Sequence, residues 1–196
     1  MSNVPESQPI KGVHHGAFRC RDAEQTRWFY CDVLGLKLAG GVASETVPGT
    51  NAADPFVHLF FEMGNGEFLA FFDAPGSAKQ DSFARKDSFD MHWAFELESE
   101  AALMAMQQRV RSFGYACYGP IDHGFVRSIY LYDPNGIQIE FTARVPDHDR
   151  ILAEERAQFT ETLKGWSERT RAQKVAKFGS EALDQRALPT RTQAQT

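Results

Sequence analysis

Two stretches of this chain repeat one another, so any fold it adopts has to be built from the repeated unit. Val13-His14-His15-Gly16-Ala17-Phe18 answers Asp90-Met91-His92-Trp93-Ala94-Phe95. Gly64-Asn65-Gly66-Glu67-Phe68-Leu69-Ala70-Phe71 answers Pro134-Asn135-Gly136-Ile137-Gln138-Ile139-Glu140-Phe141. A repeat of this length outranks local propensity as evidence of architecture.

The pattern between these anchors reads the same way twice. Residues 11–21 alternate as a strand, Asp22 caps a helix with Trp28, Phe29, Val33 and Leu34 on one face, and Gly35 stands at its C-cap. A short strand over 36–39, a loop over 40–55 and two strands around the Gly64-Asn65-Gly66 turn complete the first unit. The polar stretch 74–89 reads as a flexible linker. A strand over 91–97, a helix over 99–113, a short strand over 116–118 and the hairpin 126–141 make the second unit. In that hairpin Asp133-Pro134-Asn135-Gly136 is the turn. Ile129, Leu131, Ile137, Ile139 and Phe141 face a core, leaving Ser128, Tyr130, Tyr132, Gln138 and Glu140 on the other side. The fold class expected is α+β, two βαβββ repeats. The divisions are an arm over 1–10, a domain over 11–145 (units 11–73 and 90–145, linker 74–89), and a C-terminal helix and tail over 146–196. Leu152, Phe159, Leu163 and Trp166 form the stripe of that helix, which packs on the outside of the domain or on a second subunit.

Composition excludes several roles. With 42% hydrophobic residues and a formal charge of −5, the chain has material for a core and no basic stripe for nucleic acid. Three cysteines, Cys20, Cys31 and Cys117, lack the spacing of a disulfide framework or thiolate zinc site. No apolar run reaches the roughly 18 residues of a membrane span, and the opening residues do not read as a signal peptide. A cytoplasmic protein is expected.

Strand parity then gathers a constellation. If Phe18 and Cys20 point inward, His15, Ala17 and Arg19 point outward. By the same parity His92, Ala94 and Glu96 oppose Trp93, Phe95 and Leu97. His15, His92 and Glu140 thus supply two imidazoles and a carboxylate on one concave face, the donor set of a metal site with open positions. A carboxylate flanked by Ile139 and Phe141 needs such a partner, since burying a bare charge is costly. His14 is one residue out of phase and is expected to point away.

On HHGAFRCRD with FYCDVLGL, on HWAFEL and on YLYDPNGIQIEF, the chain resembles the vicinal oxygen chelate superfamily of glyoxalases, bleomycin- and fosfomycin-resistance proteins and extradiol dioxygenases. The resemblance covers 11–141. It implies an open, cupped mixed β-barrel around one divalent metal, with His15, His92 and Glu140 as ligands. Both single-chain and shared sites occur in the family, and a homodimer is implied. Glyoxalases take a fourth ligand where this chain has Ala70; Glu67 has the wrong parity to replace it. Dioxygenases place a tyrosine ten residues before the ligand Glu, here Tyr130, and a histidine where this chain has Gly66 and Glu67. His58 is a candidate stand-in. The leading expectation is an Fe(II)-dependent ring-cleaving dioxygenase on a catechol-type aromatic, Tyr130 and His123 moving protons. The alternatives are a lyase or transferase using Zn(II), Mn(II) or Ni(II), and a non-catalytic small-molecule binder. Arg19, His58, Phe68, Phe72 and Tyr132 are expected to touch substrate. Arg19 is either paired with Glu96 or free to bind an anion.

Overall fold

The computed structural model describes residues 7–185. The chain divides into two units, one ending at Pro146 and one beginning at Asp147. Among the described residues the first unit holds eight strands in two separate four-stranded sheets, with no closed barrel. Strands β1 (His15–Cys20), β2 (Lys37–Thr46), β3 (Ala53–Glu62) and β4 (Phe68–Asp73) run in the order β1-β4-β3-β2. Strands β5 (His92–Leu97), β6 (Tyr118–Asp122), β7 (Val126–Tyr132) and β8 (Gln138–Arg144) run β5-β8-β7-β6. In each sheet the first strand is parallel to the last and the other pairs are antiparallel. The repeat seen in the sequence is therefore a repeat of topology.

The helices follow from their caps and apolar faces. Asp22 accepts from the Gln25 amide at 2.6 Å and opens α1 (Ala23–Arg27). The chain continues as a π-helical segment over Trp28–Val33, wider than the α-helix the spacing predicts. This widening keeps Phe29, Tyr30 and Val33 inward together, each fully buried. Gly35 ends the segment at a φ of 87°, the left-handed conformation a side chain disfavours. Ser99 caps α2 (Glu100–Ser112), which buries Leu103, Gln107 and Val110.

Strand β2 departs from expectation. It runs on to Thr46 where a loop from residue 40 is predicted, with register shifts at Gly40 and before Thr46. Backbone pairing to β3 sustains this edge strand while its side chains stay almost wholly exposed, so no apolar alternation marks it. Strand β6 is likewise longer than predicted, and exposed throughout.

One buried core gathers side chains from both sheets, from the Trp28–Val33 segment and from α2, and the parity read from the hairpin holds. Ile129, Leu131, Ile137, Ile139 and Phe141 are all at most 4% exposed. The Asp133–Gly136 turn is buried, not superficial. Asp133 Oδ1 accepts the amides of Asn135 and Ile137, and Oδ2 accepts the Tyr30 hydroxyl at 3.1 Å and the Asn135 amide nitrogen. Asn135 in turn receives the Arg21 amide at 2.8 Å. The second repeat's last turn is thereby fastened to the first repeat's helix. Gly16 lies under Trp93, where an added Cβ would come within 2.5 Å of the ring.

The segment 74–89 is docked rather than free. It contains a 3-10 turn at Gln80–Phe83, and the Lys86 amide donates to the Gly136 carbonyl at 2.9 Å. The three cysteines are unpaired; burial pushes the Cys20 thiol up to about 11, as befits a small core residue. The second unit consists of α3 (His148–Phe178) and α4 (Ser180–Asp184), joined by Arg171 to Asp184 at 2.7 Å. No residue of α3 is buried, and Phe159, Leu163 and Trp166 are each about half exposed. The expected arm and tail fall largely outside the described residues. No helix among them is long and apolar enough to cross a membrane.

Candidate functional site

Each sheet offers one open face, and the strand registers show which residues share it. On the second sheet His92 is opposite Gln138, and Glu140 lies between Ala94 and Tyr130. Cross-strand partners project to the same side. His92 and Glu140 therefore meet, with Nε2 and Oε2 3.3 Å apart. His92 Nδ1 lies 2.8 Å from the Ser88 carbonyl, which can only accept, so Nδ1 carries the proton. In the neutral ring Nε2 then presents a lone pair to the carboxylate. Two lone pairs at this separation repel unless a proton or a cation lies between them, and the donor set suits a divalent metal.

The other carboxylate oxygen is occupied. Tyr130 donates its hydroxyl proton to Glu140 Oε1 at 2.9 Å, and the same hydroxyl lies 2.8 Å from His123 Nε2. With the phenol proton given to Glu140, His123 must donate. Burial first, then the hydrogen bond and charge of Glu140, push the Tyr130 phenol up to about 12, so it stays protonated at neutral pH. His92, Glu140, Tyr130 and His123 line one cavity of about 600 Å³, whose apolar walls include Phe89, Tyr118 and Phe125. The sequence reading missed these walls and Ser88. An aromatic residue at Phe89, inside an otherwise polar linker, was the one available signal.

His15 is not in this group. It stands on the open face of the first sheet, opposite Phe68, with Ala17 opposite Ala70 and Arg19 opposite Phe72. Among the described residues no three His, Cys, Asp or Glu side chains gather closely enough to hold a metal ion. The residues expected to share one concave face stand in two sheets, His15 in the first and His92 with Glu140 in the second, so each sheet carries one half of the expected ligand set, a half-site.

The first half-site differs from expectation in other ways. His14 does not point away, since its Nδ1 meets His15 Nδ1 at 2.8 Å and its ring lies 5.7 Å from Phe68. It precedes the strand proper, so strand parity does not govern it. His58 lies with its ring centroid 6.1 Å from His15 and stacks on Phe72 at 3.6 Å. Its Nε2 is buried with no partner among the described residues, and burial, then His15, lowers its pKa. Arg19 does not pair with Glu96. Its Nη1 donates to the Ala74 carbonyl at 2.9 Å and to Ser77 Oγ, while Glu96 pairs with Arg144 at 2.6 Å. Glu67 is held by the Val13 amide at 3.1 Å, away from Ala70. Tyr132, expected to touch substrate, gives its hydroxyl to the Lys86 carbonyl at 2.9 Å and its ring to the Arg85 guanidinium. It does not line the His92–Glu140 cavity.

Comparison with known proteins agrees with this architecture. A family model described as Glyoxalase/Bleomycin resistance protein/Dioxygenase superfamily matches residues 12–141. A search of curated proteins found no match. Among solved structures, a glyoxylase/bleomycin resistance protein/dioxygenase domain from Frankia sp. EAN1pec is similar at 18% identity and a TM-score of 0.57, covering 70% of this chain and 100% of that one. The fosfomycin resistance protein FosX from Listeria monocytogenes, complexed with Mn(II) and sulfate, is similar at 20% identity and a TM-score of 0.52, covering 72% and 98%. TnmS3, an antibiotic binding protein from Streptomyces sp. CB03234, is similar at 18% identity and a TM-score of 0.51, covering 71% and 100%.

Proposed function

Because the chain belongs to the Glyoxalase/Bleomycin resistance protein/Dioxygenase superfamily, we propose that it is a metal-dependent enzyme acting on a small molecule through vicinal oxygens. His92 and Glu140 of one chain and His15 of a second copy hold the metal. The observation that carries this reading is the facing pair His92 Nε2 and Glu140 Oε2, 3.3 Å apart with the histidine tautomer fixed from behind. When bound, a divalent ion supplies Lewis-acid polarisation of the chelated oxygens, and Fe(II) adds the redox capacity of a ring-cleaving dioxygenase.

The protein's own residues do the rest. Tyr130, protonated and beside Glu140, is a proton donor to a developing oxyanion, and His123 behind it returns the proton. Phe89, Tyr118 and Phe125 form an apolar wall suited to a planar substrate. The finer reading is dioxygenation of a catechol-type aromatic. A fosfomycin-resistance-type transfer or addition with Mn(II) or Zn(II) is the second reading, favoured by the likeness to the Mn(II)-bound FosX.

A homodimer fits both the divided half-sites and α3. Around Leu163 that helix changes character: Asp149, Glu154, Glu155 and Glu161 outnumber Arg150 and Arg156 before it, and Lys164, Arg169, Arg171, Lys174 and Lys177 outnumber Glu168 after it. A second copy of α3 packed antiparallel lays acidic half on basic half and covers the Phe159–Leu163–Trp166 stripe.

Elemental analysis of native protein, with oxygen uptake on a catechol panel, tests the function. Iron with uptake supports dioxygenation, and manganese or zinc without uptake supports the transferase reading. Metal-free protein whose stability is indifferent to a chelator overturns both.

A further inference from the structure

A second cavity, of about 410 Å³, lies on the face of the first sheet and shares the His58 ring with the surroundings of His15. Its size is ordinary for a small-ligand pocket. One wall is the His58–Phe72 stack, its two rings 15° from parallel, with Phe56 edge-on to Phe72 at 5.6 Å. Arg19 lines the same space, half-buried, with only Nη1 engaged, by the Ala74 carbonyl and Ser77 hydroxyl. No carboxylate among the described residues is within ion-pair distance of it, because Glu96 is taken by Arg144. A half-buried guanidinium with no ion-pair partner is costly, Asp54 lining the same cavity without pairing to it, and its unused N–H edge has the planar fork that matches a carboxylate.

We propose that this cavity binds an aromatic carboxylate, the acid group on Arg19 and the ring on Phe72 and Phe56. Asp54, which lines the cavity as well, repels a second anionic group and accepts from a ring hydroxyl. Hydroxylated aromatic acids are thus preferred over simple ones. As an assignment of substrate class this rests on the metal-centre reading; as a binding pocket it stands without it.

The test is isothermal titration of the full chain, kept in chelator, with benzoate, 4-hydroxybenzoate and benzyl alcohol. Benzoate binds, 4-hydroxybenzoate binds more tightly, and benzyl alcohol binds at least about tenfold more weakly. Arg19→Gln loses about tenfold or more for both acids, Arg19→Lys recovers part of it, and Phe72→Ala weakens all three probes. Equal binding of acid and alcohol, equal binding by wild type and Arg19→Gln, or no binding at millimolar acid overturns the pocket. A failed metal analysis does not touch these outcomes, since the titrations exclude metal.

Discussion

Tyr130 has one proton and two neighbours that compete for its hydroxyl, and the geometry decides between them. Glu140 Oε1 can only accept, so the proton goes there, and His123 is left as donor to the phenol oxygen. The chain His123–Tyr130–Glu140–His92 is therefore polarised toward the carboxylate. Tyr130→Phe removes the middle link while leaving both metal-facing atoms in place. Turnover with a competent substrate is expected to fall by about 10²-fold or more, with metal content unchanged. Loss of metal in that variant would make Tyr130 a support for Glu140 and nothing more. Strand parity placed Tyr130 and Glu140 on one side from sequence. It could not place His123, which reaches Tyr130 because a turn at Gly124 folds the β6–β7 connection back, the His123 amide donating to the Val126 carbonyl.

At the scale of elements, the buried turn Asp133–Gly136 is where the two repeats are tied. Asp133→Ala strands the amides of Asn135 and Ile137 and the Tyr30 hydroxyl in the interior. A loss of about 2–4 kcal/mol is expected in chemical denaturation. Burial raises the Asp133 carboxyl above its ordinary 3.8, outweighing the hydrogen bonds that lower it. A carboxyl raised on folding contributes stability that is fully present below its unfolded pKa and lost as pH rises through the folded one. Wild type should accordingly gain on Asp133→Asn as pH falls through the window just above 3.8; a constant difference would remove the burial argument. The turn itself was legible as Asp-Pro-Asn-Gly, but its burial was not, because those residue types mark exposed turns elsewhere. Strands β2 and β6 were misjudged in length for the opposite reason: their pairing is carried by the backbone, and exposed side chains keep no alternation. If α3 pairs with a second copy as proposed, Leu163→Glu is expected to raise the dimer dissociation constant at least about tenfold in sedimentation equilibrium, with helicity by circular dichroism unchanged. An unaltered dimer would show that the stripe does not pair.

The whole molecule poses the question the repeat could not answer. Equivalence of His15 and His92 follows from sequence, because each opens the first strand of its unit and has the same parity. Which faces look at each other depends on how two sheets are arranged, and neither parity nor composition encodes that. In one chain the faces carry His15 with His58, and His92 with Glu140, as separate half-sites. A two-fold dimer that joins unlike halves makes two identical sites, each complete only in the pair. This has a consequence that a single-chain site lacks. With the proposed two-chain site, His15→Ala and His92→Ala are each expected to abolish metal binding alone. Refolded together, half of the dimers are mixed, and in each mixed dimer one site draws His15 from one variant and His92 with Glu140 from the other. Metal content should return to about one quarter of wild type, while each variant alone stays empty. If the mixture stays empty as well, both halves of each site belong to one chain, and the two faces must close on each other within it.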